Sequence, residues 1–166
     1  MRQPITGTLL AATLAACGGG TAPAVDRVKE ANVTARFEGW VRAWNGHRPD
    51  ALAPFYIQQE YLTVVWPTGA RTRGWAEESR HQQTFLPTVT VTNLVPQSAR
   101  IVLVRKDLAL VTFPFTLDLA AGGSRQIGPG EAMMLWQNEG DAWRIYAAHL
   151  SYTKAIEAQG VPQRRQ

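Results

Sequence analysis

Apolar residues in the first third of the chain recur every three or four positions, which is the period of an amphipathic helix. This stripe consists of Val33, Phe37, Trp40, Val41 and Trp44. Asp26 suits an N-cap and Gly46 suits a helix stop, so the pattern predicts a helix between them. Two shorter helices are predicted after it, one starting near Pro49 and one over 74–86, directly before a proline.

The rest of the chain is rich in β-branched and aromatic residues separated by turn-forming residues, which is typical of strands. The predicted strands are 61–66, 88–95, 100–105, 108–119, 126–137 and 142–151. Pro114 indicates a bulge or an edge in the fourth strand, and the glycines at 128 and 130 indicate a disturbance in the fifth. Helices followed by a meandering antiparallel sheet indicate one α+β domain.

The last predicted strand decides which side chains point into the domain. Successive strand residues point to opposite faces of a sheet, so strict alternation predicts two sets. The inner set is Trp143, Ile145, Ala147 and His149, and the outer set is Arg144, Tyr146, Ala148 and Leu150. The outer residues Tyr146, Ala148 and Leu150 form one candidate surface for a homodimer.

Residues 1–16 have the pattern of a secretory signal, because Arg2 is followed by an apolar run that is too short to span a bilayer. The segment Leu14-Ala15-Ala16-Cys17 resembles the lipobox of bacterial lipoproteins, in which the cysteine becomes a lipid-modified N-terminus. The alternative is an ordinary signal peptide with a chance cysteine. Because Cys17 is the only cysteine, lipidation would leave no thiol for catalysis, disulfides or metal binding.

The resemblance to a lipobox implies a lipid-anchored protein of the cell envelope. Residues 17–25 would form a flexible tether rich in Gly, Thr, Ala and Pro, 26–153 the folded domain and 154–166 a C-terminal tail. Gly18 is not the aspartate that retains such proteins in the inner membrane. We therefore expect the outer membrane, facing the periplasm, if the organism is Gram-negative.

Charge and histidine spacing argue against several classes of site. The net charge is +4, but the arginines are scattered rather than gathered on one face, so we expect no nucleic-acid partner. The three histidines show no i/i+4 pairing, and His47 lies at a helix end where a cation favours the helix dipole, so we expect no metal site. The glycines lie in a linker and in turns rather than in a phosphate loop, and the sequence indicates no cofactor.

Four segments, in this order and spacing, resemble the nuclear-transport-factor-2-like (NTF2-like) superfamily and within it the SnoaL-like branch. They are Trp40–Gly46, Asp50–Tyr56, Val65–Gly74 and Gly140–Ser151. The resemblance implies three N-terminal helices packed on a curved antiparallel sheet, with a cone-shaped pocket between them. Its members include isomerases, cyclases, epoxide hydrolases, dehydratases and binding or assembly domains, so the fold does not fix a function.

The predicted elements and the resemblance together place eight side chains around the cone. They are Trp40, Trp44, Tyr56, Trp66, Trp75, Phe113, Trp136 and His149. So many tryptophans indicate an aromatic pocket for an apolar or planar ligand, and the alternative is core packing. His149 is the best candidate for an acid–base group because histidine titrates near neutral pH, and the alternative is a half-buried histidine bonded within the sheet.

The known chemistries of the superfamily fit these residues poorly. Ketosteroid isomerases need a carboxylate base and two buried donors, and the resemblance places Trp66, Trp40 and Met134 at those positions. We therefore expect no isomerase activity. Epoxide hydrolases need two carboxylates around an arginine, which no spacing in this chain provides. The carboxylates nearest the cone are Glu60, Glu78 and Glu131.

Three hypotheses follow for the folded domain. The first is a lipoprotein that binds a small apolar or aromatic molecule in the tryptophan-lined pocket. The second is a cyclase, dehydratase or hydrolase that uses His149, and the third is a homodimeric assembly module. An open apolar cavity favours the binder, a polar partner beside His149 favours the enzyme, and a cone filled by its own tryptophans favours the assembly module.

Overall fold

The computed structural model describes residues 26–140 and 142–154, and the backbone alone of 156–157. The expected signal, the tether with Cys17 and the remainder of the C-terminal tail lie outside the described residues. None of the helices in the described part is long and apolar enough to cross a membrane.

The first helix, α1, extends over Arg27–Asn45, as its apolar period predicts. Asp26 caps it, since its carboxylate accepts a hydrogen bond from the Lys29 backbone nitrogen, and the Gly46 nitrogen closes it on the Arg42 carbonyl oxygen. The apolar stripe is buried, with exposures of at most 5% for Val33, Phe37, Trp40 and Trp44. This stripe forms the helical wall of the core.

Two short helices follow, and each continues into a 3₁₀ turn. They are α2 (Pro49–Leu52), continued by Ala53–Phe55, and α3 (Trp75–Phe85), continued by Leu86–Thr88. Pro49 opens α2, where a missing N–H costs little. Gly74 precedes α3 with a φ of +75°, and a side chain there would press on the Glu60 backbone. Glycine therefore sets the start of α3, one residue later than predicted.

The described strands form an eight-stranded sheet. They are β1 (Thr63–Val65), β2 (Arg71–Arg73), β3 (Val89–Pro96), β4 (Arg100–Arg105), β5 (Leu108–Ala121), β6 (Ser124–Glu139), β7 (Ala142–Tyr152) and β8 (Ile156–Glu157). Their order is β2-β1-β7-β6-β5-β3, with β4 also paired to β5 and β8 to β6. The short strands β2 and β8 are additions to the predicted set.

The sheet is mixed, and the expectation of a purely antiparallel sheet is wrong. β1 runs parallel to β7, with Thr63 opposite Ala147 and Val65 opposite His149. The other pairings between described strands are antiparallel. Parallel neighbours need a long crossover connection, and here that connection includes most of the domain.

A bulge in β7 breaks the alternation of its side chains. Leu135 of β6 lies opposite Ala147, and the next residue, Trp136, lies opposite Ile145. Tyr146 is therefore an extra residue in β7 at this point. One extra residue moves every later side chain of the strand to the opposite face.

Because of the bulge, the faces predicted for the side chains in the second half of β7 are wrong. The expected inner position of His149 is wrong, because His149 is exposed on the outer face. Ala148 and Leu150, expected outside, are buried at 4% and 2% exposure. Of the candidate dimer surface only Tyr146 remains outside, where its ring lies 5.3 Å from that of Tyr61.

Pro114 causes no bulge in β5, but it lies in the segment 113–114, which pairs with neither β3 nor β4 and is therefore a local edge. β5 pairs with β4 over 108–112 and with β3 over 115–121, so Pro114 lies where one neighbour replaces the other. The Pro114 carbonyl oxygen accepts a hydrogen bond from the backbone nitrogen of Gln97, which lies between β3 and β4. Because the nitrogen and the carbonyl of one strand residue point to the same side, the Pro114 nitrogen also faces Gln97 and not β6. A residue without an N–H is tolerated at such a gap.

The glycines of β6 do not disturb that strand, which pairs with β5 without a register shift. At Gly130 a Cβ would collide with the Phe115 ring and the Ser151 carbonyl oxygen. Because Gly130 has no side chain, the Phe115 ring can pack against its backbone, and Phe115 is 1% exposed there.

Candidate ligand-binding site

Aromatic side chains fill the space between the helices and the sheet. Exposure is at most 1% for Trp40, Tyr56, Trp66, Phe113 and Trp136. The ring centroids of Trp44 lie 5.6 Å from Trp40 and 5.0 Å from Trp66. These are distances of direct aromatic contact, so side chains expected to line an open cone pack against one another instead.

A buried carboxylate, Glu78 of α3, lies beside this aromatic core and is 0% exposed. Its Oε2 accepts hydrogen bonds from Trp66 Nε1 at 3.1 Å and Thr72 Oγ1 at 2.5 Å. Its Oε1 accepts one from Gln82 Nε2 at 2.8 Å. Buried carboxylates persist when such bonds compensate for lost water, so Glu78 fixes the orientations of its donors and is not a free base.

Tyr56 supplies a second polar group inside the core. Its hydroxyl oxygen accepts a hydrogen bond from Trp40 Nε1 at 3.1 Å. Burial raises the pKa of Tyr56 well above its ordinary value, and the negative charge of Glu78 raises it further, against a smaller opposing effect of the Trp40 hydrogen bond. The hydroxyl therefore stays neutral at physiological pH.

A narrow crevice, the end crevice, lies between the end of α1, the turn after α3, and strands β3 and β5. It is lined by Trp44, His47, Phe85, Leu86, Val89, Thr92 and Leu119. The crevice has no room for a water molecule. Within the described residues, Trp44 Nε1, His47 Nδ1 and Thr92 Oγ1 are buried without a hydrogen-bond partner. Folded proteins keep few such atoms, so their meeting in one crevice marks it as a candidate site.

The last residue of α1, Asn45, holds the crevice wall in place, and His47 follows in the turn after the helix. The Asn45 Oδ1 accepts a hydrogen bond from the Leu94 nitrogen at 2.7 Å, and its Nδ2 donates to the Leu94 oxygen at 3.0 Å, which joins α1 to β3. His47 has a φ of +40°. This left-handed conformation costs a residue other than glycine roughly 1 kcal/mol, and such strained residues cluster at functional sites.

The eight side chains expected around the cone separate into three groups. The core contains Trp40, Tyr56, Trp66, Phe113 and Trp136. Trp44 is also buried, and of the eight it is the one that borders the end crevice. Trp75 is half-buried at the start of α3, where it packs against the core, and His149 is exposed. His149 therefore has no part in an interior site.

Of the seven residues that line the end crevice, all but Trp44 were absent from the predicted site, including the two polar ones, His47 and Thr92. The sequence placed His47 at a helix end, and nothing in the pattern of β3 indicated that Thr92 would meet it. Of the expected carboxylates only Glu78 is buried, whereas Glu60 and Glu131 are exposed. No cluster of His, Cys, Asp and Glu among the described residues could hold a metal ion.

No family model and no curated protein matches this chain in sequence. Solved structures match its fold. A candidate dehydratase of the NTF2-like family from Streptomyces avermitilis has a TM-score of 0.69 at 14% identity and covers 78% of this chain and 99% of its own. A candidate scytalone dehydratase from Novosphingobium aromaticivorans has a TM-score of 0.67 at 14% identity, with coverages of 85% and 97%.

A third structure, an NTF2-like protein of unknown function from Shewanella oneidensis, has a TM-score of 0.58 at 21% identity and covers 74% of this chain and 98% of its own. Likeness at such low identity shows the fold and leaves the activity open. The chain has the NTF2-like α+β fold, with three described helices packed on a mixed sheet.

Proposed function

We propose that this protein is an exported lipoprotein of the SnoaL-like branch that binds a small, uncharged, mainly apolar molecule in the end crevice. The observation that carries the proposal is the set of three unpaired buried atoms there, Trp44 Nε1, His47 Nδ1 and Thr92 Oγ1. A ligand with a hydrogen-bonding oxygen on an apolar body would pair with them.

The free-energy cost of unpaired buried polar atoms favours a ligand that would form hydrogen bonds with them. A buried polar group without a partner costs about 1–3 kcal/mol. The crevice is too narrow for water to supply the missing bonds, so a ligand would have to widen it, and the hydrogen bonds gained would offset the cost of widening. The remaining lining side chains, Phe85, Leu86, Val89 and Leu119, are apolar and would contact the body of the ligand.

The lining also defines the chemistry of the ligand. The Trp44 indole is a donor only, and the Thr92 hydroxyl can donate, so the ligand should carry an acceptor such as a carbonyl oxygen. The described lining contains no carboxylate, lysine or arginine. A charged ligand would therefore lose its hydration without gaining a counter-charge.

The same residues favour binding over catalysis. His47 is the one ionisable side chain in the described lining, and no described carboxylate orients its Nδ1. Glu78 is occupied by three donors and Tyr56 stays neutral. The names of dehydratases with this fold come from structures 14% identical to this chain, so they support the fold and not the reaction.

Thr92→Val should separate stability from ligand binding. Valine resembles threonine in shape but lacks the unpaired hydroxyl, so we expect the free energy of unfolding to rise by about 1 kcal/mol. The same change removes a partner of the ligand. Binding of acetophenone, a small aromatic ketone, should weaken by roughly three- to tenfold. Urea denaturation measures the first effect, and isothermal titration calorimetry measures the second.

Two controls make this experiment specific. Thr63→Val removes an exposed hydroxyl on β1, away from the crevice, and should change stability by less than about 0.5 kcal/mol and leave binding unchanged. Ethylbenzene, which lacks the oxygen of acetophenone, should bind the wild type more weakly. The proposal fails if the wild type binds neither compound, or if Thr92→Val lowers stability and leaves acetophenone binding unchanged.

A further inference from the structure

A second cavity, a groove of about 410 Å³, lies between α2 and α3. Its volume lies within the range of small-ligand pockets, roughly 300–1,000 Å³. The side chains that matter for recognition are Asp50, Trp75, Ser79, Gln82 and Gln83. This α2–α3 groove shares no lining residue with the end crevice among the described residues.

Gln82 is the buried polar group of the α2–α3 groove, at 1% exposure. Its Nε2 donates to Glu78 Oε1 at 2.8 Å, so the amide is oriented from inside the protein. Within the described part of the chain, no group donates to its Oε1. The groove wall therefore contains an acceptor whose direction is fixed by a buried carboxylate.

Trp75 gives the groove an aromatic surface. It is the first residue of α3, its backbone nitrogen donates to the Gln59 oxygen at 2.9 Å, and its side chain is half-buried. Asp50, on the other wall, is paired with Arg48 at 3.1 Å. The groove thus combines a flat apolar ring with hydrogen-bonding groups, and its one carboxylate already has a counter-charge.

We propose that the α2–α3 groove binds a neutral saccharide. A pyranose ring has an apolar C–H face that can lie on an indole ring, and hydroxyl groups at its edge that pair with amides and hydroxyls. Trp75 is the stacking surface, Gln82 Oε1 accepts from a sugar hydroxyl, and Gln83 bonds at the open side. Glu78 is a positioning residue because it acts through Gln82. This site is independent of the ligand proposed for the end crevice.

The test is calorimetric titration of the full-length protein, in a detergent without a sugar head group, with three neutral trisaccharides. Triacetylchitotriose, cellotriose and maltotriose are the probes, and we expect at least one to bind. Trp75→Leu should weaken that binding at least tenfold, and Gln83→Ala, an exposed position, about threefold. Tyr61→Leu removes an exposed aromatic ring outside the groove and should leave the affinity unchanged.

Three outcomes would overturn the proposal. The first is that the wild type binds none of the trisaccharides. The second is that folded Trp75→Leu and Gln83→Ala both bind as tightly as the wild type. The third is that tetramethylammonium binds more tightly than the sugars and is lost in Asp50→Asn, which would make the groove a cation site. Thr92→Val should leave saccharide binding unchanged, so failure at one site is distinguishable from failure at the other.

Discussion

Polar side chains buried in this protein have very different surroundings. Glu78 receives three hydrogen bonds, whereas Thr92 Oγ1 has no described partner. The apolar period of α1 was enough to predict that Trp44 is buried. It could not show that the Trp44 indole N–H lacks an acceptor, because that depends on what β3 and the turn after α3 place beside it. The predicted site therefore shares one aromatic residue, Trp44, with the candidate site and none of its polar residues.

Asp118 and Arg125, on β5 and β6, give a residue-scale prediction about pH. They form a bidentate ion pair, with 2.9 Å from Arg125 Nε to Oδ1 and 2.6 Å from Nη2 to Oδ2. The Arg125 hydrogen bond holds the pKa of Asp118 below its ordinary value, against a smaller opposing effect of burial. Because folding lowers this pKa, the pair stabilises the protein above about pH 4, and the contribution is lost as the pH falls further.

Asp118→Asn should therefore lower the free energy of unfolding by up to about 1 kcal/mol at pH 7 and by clearly less at pH 3. Urea denaturation at the two pH values measures the difference. Asp107→Asn disrupts the more exposed pair with Arg105 and is the matched control, with little effect expected at either pH. An equal loss at both pH values for Asp118→Asn would show that the ion pair does not stabilise through the charge of Asp118.

At the scale of elements, the spacing of hydrophobic residues predicted the long helix and the long strands. It did not predict the short strand β2 or the bulge in β7. The helix α1 and the strands β3 to β7 follow from runs long enough to show a period. β2 has the sequence Arg-Thr-Arg over 71–73, which is too short and too polar to be distinguished from a turn. The bulge at Tyr146 leaves no mark in the composition of β7, and strict alternation fails after it.

Substitutions on either side of the strand test the bulge in β7. Leu150→Ala should lower the free energy of unfolding by about 2–5 kcal/mol, because Leu150 is 2% exposed and its loss leaves a cavity. His149→Ala, at the exposed neighbouring position, should cost less than about 0.5 kcal/mol. Urea denaturation of both variants measures this. The reverse order of effects would mean that β7 alternates without a bulge.

For the whole molecule, the order of helices and strands was enough to predict an α+β domain with the NTF2-like fold. Whether the cone of this fold is open could not be predicted, because it depends on how large side chains meet in three dimensions. Trp40, Trp66 and Trp136 are each at most 1% exposed. The ligand site proposed here therefore lies at the end of a packed core, and not in a tryptophan-lined cone.

Membrane attachment is a prediction for the whole molecule, and it depends on the sulfur of Cys17, which lies outside the described residues. Cys17→Ser should leave the protein without its lipid and release it from membranes, because each buried acyl CH₂ contributes about 0.8 kcal/mol to anchoring. Membrane fractionation and mass spectrometry of the intact protein measure the two effects. Thr21→Ser, within the expected tether, should leave the protein lipidated and attached. Continued membrane attachment of Cys17→Ser would contradict the lipoprotein proposal.

The parallel pairing of β1 with β7 also affects when the domain can fold during its synthesis. β7 lies between β1 and β6, so β1 cannot take its place in the sheet until residues 142–152 have been synthesised. Contacts between such distant segments slow folding, because a long loop must close before they form. For a chain exported as proposed above, this delay would keep β1 unpaired until residues 142–152 have also crossed the membrane. The contact that completes the sheet therefore also sets the earliest point during synthesis at which the domain can finish folding.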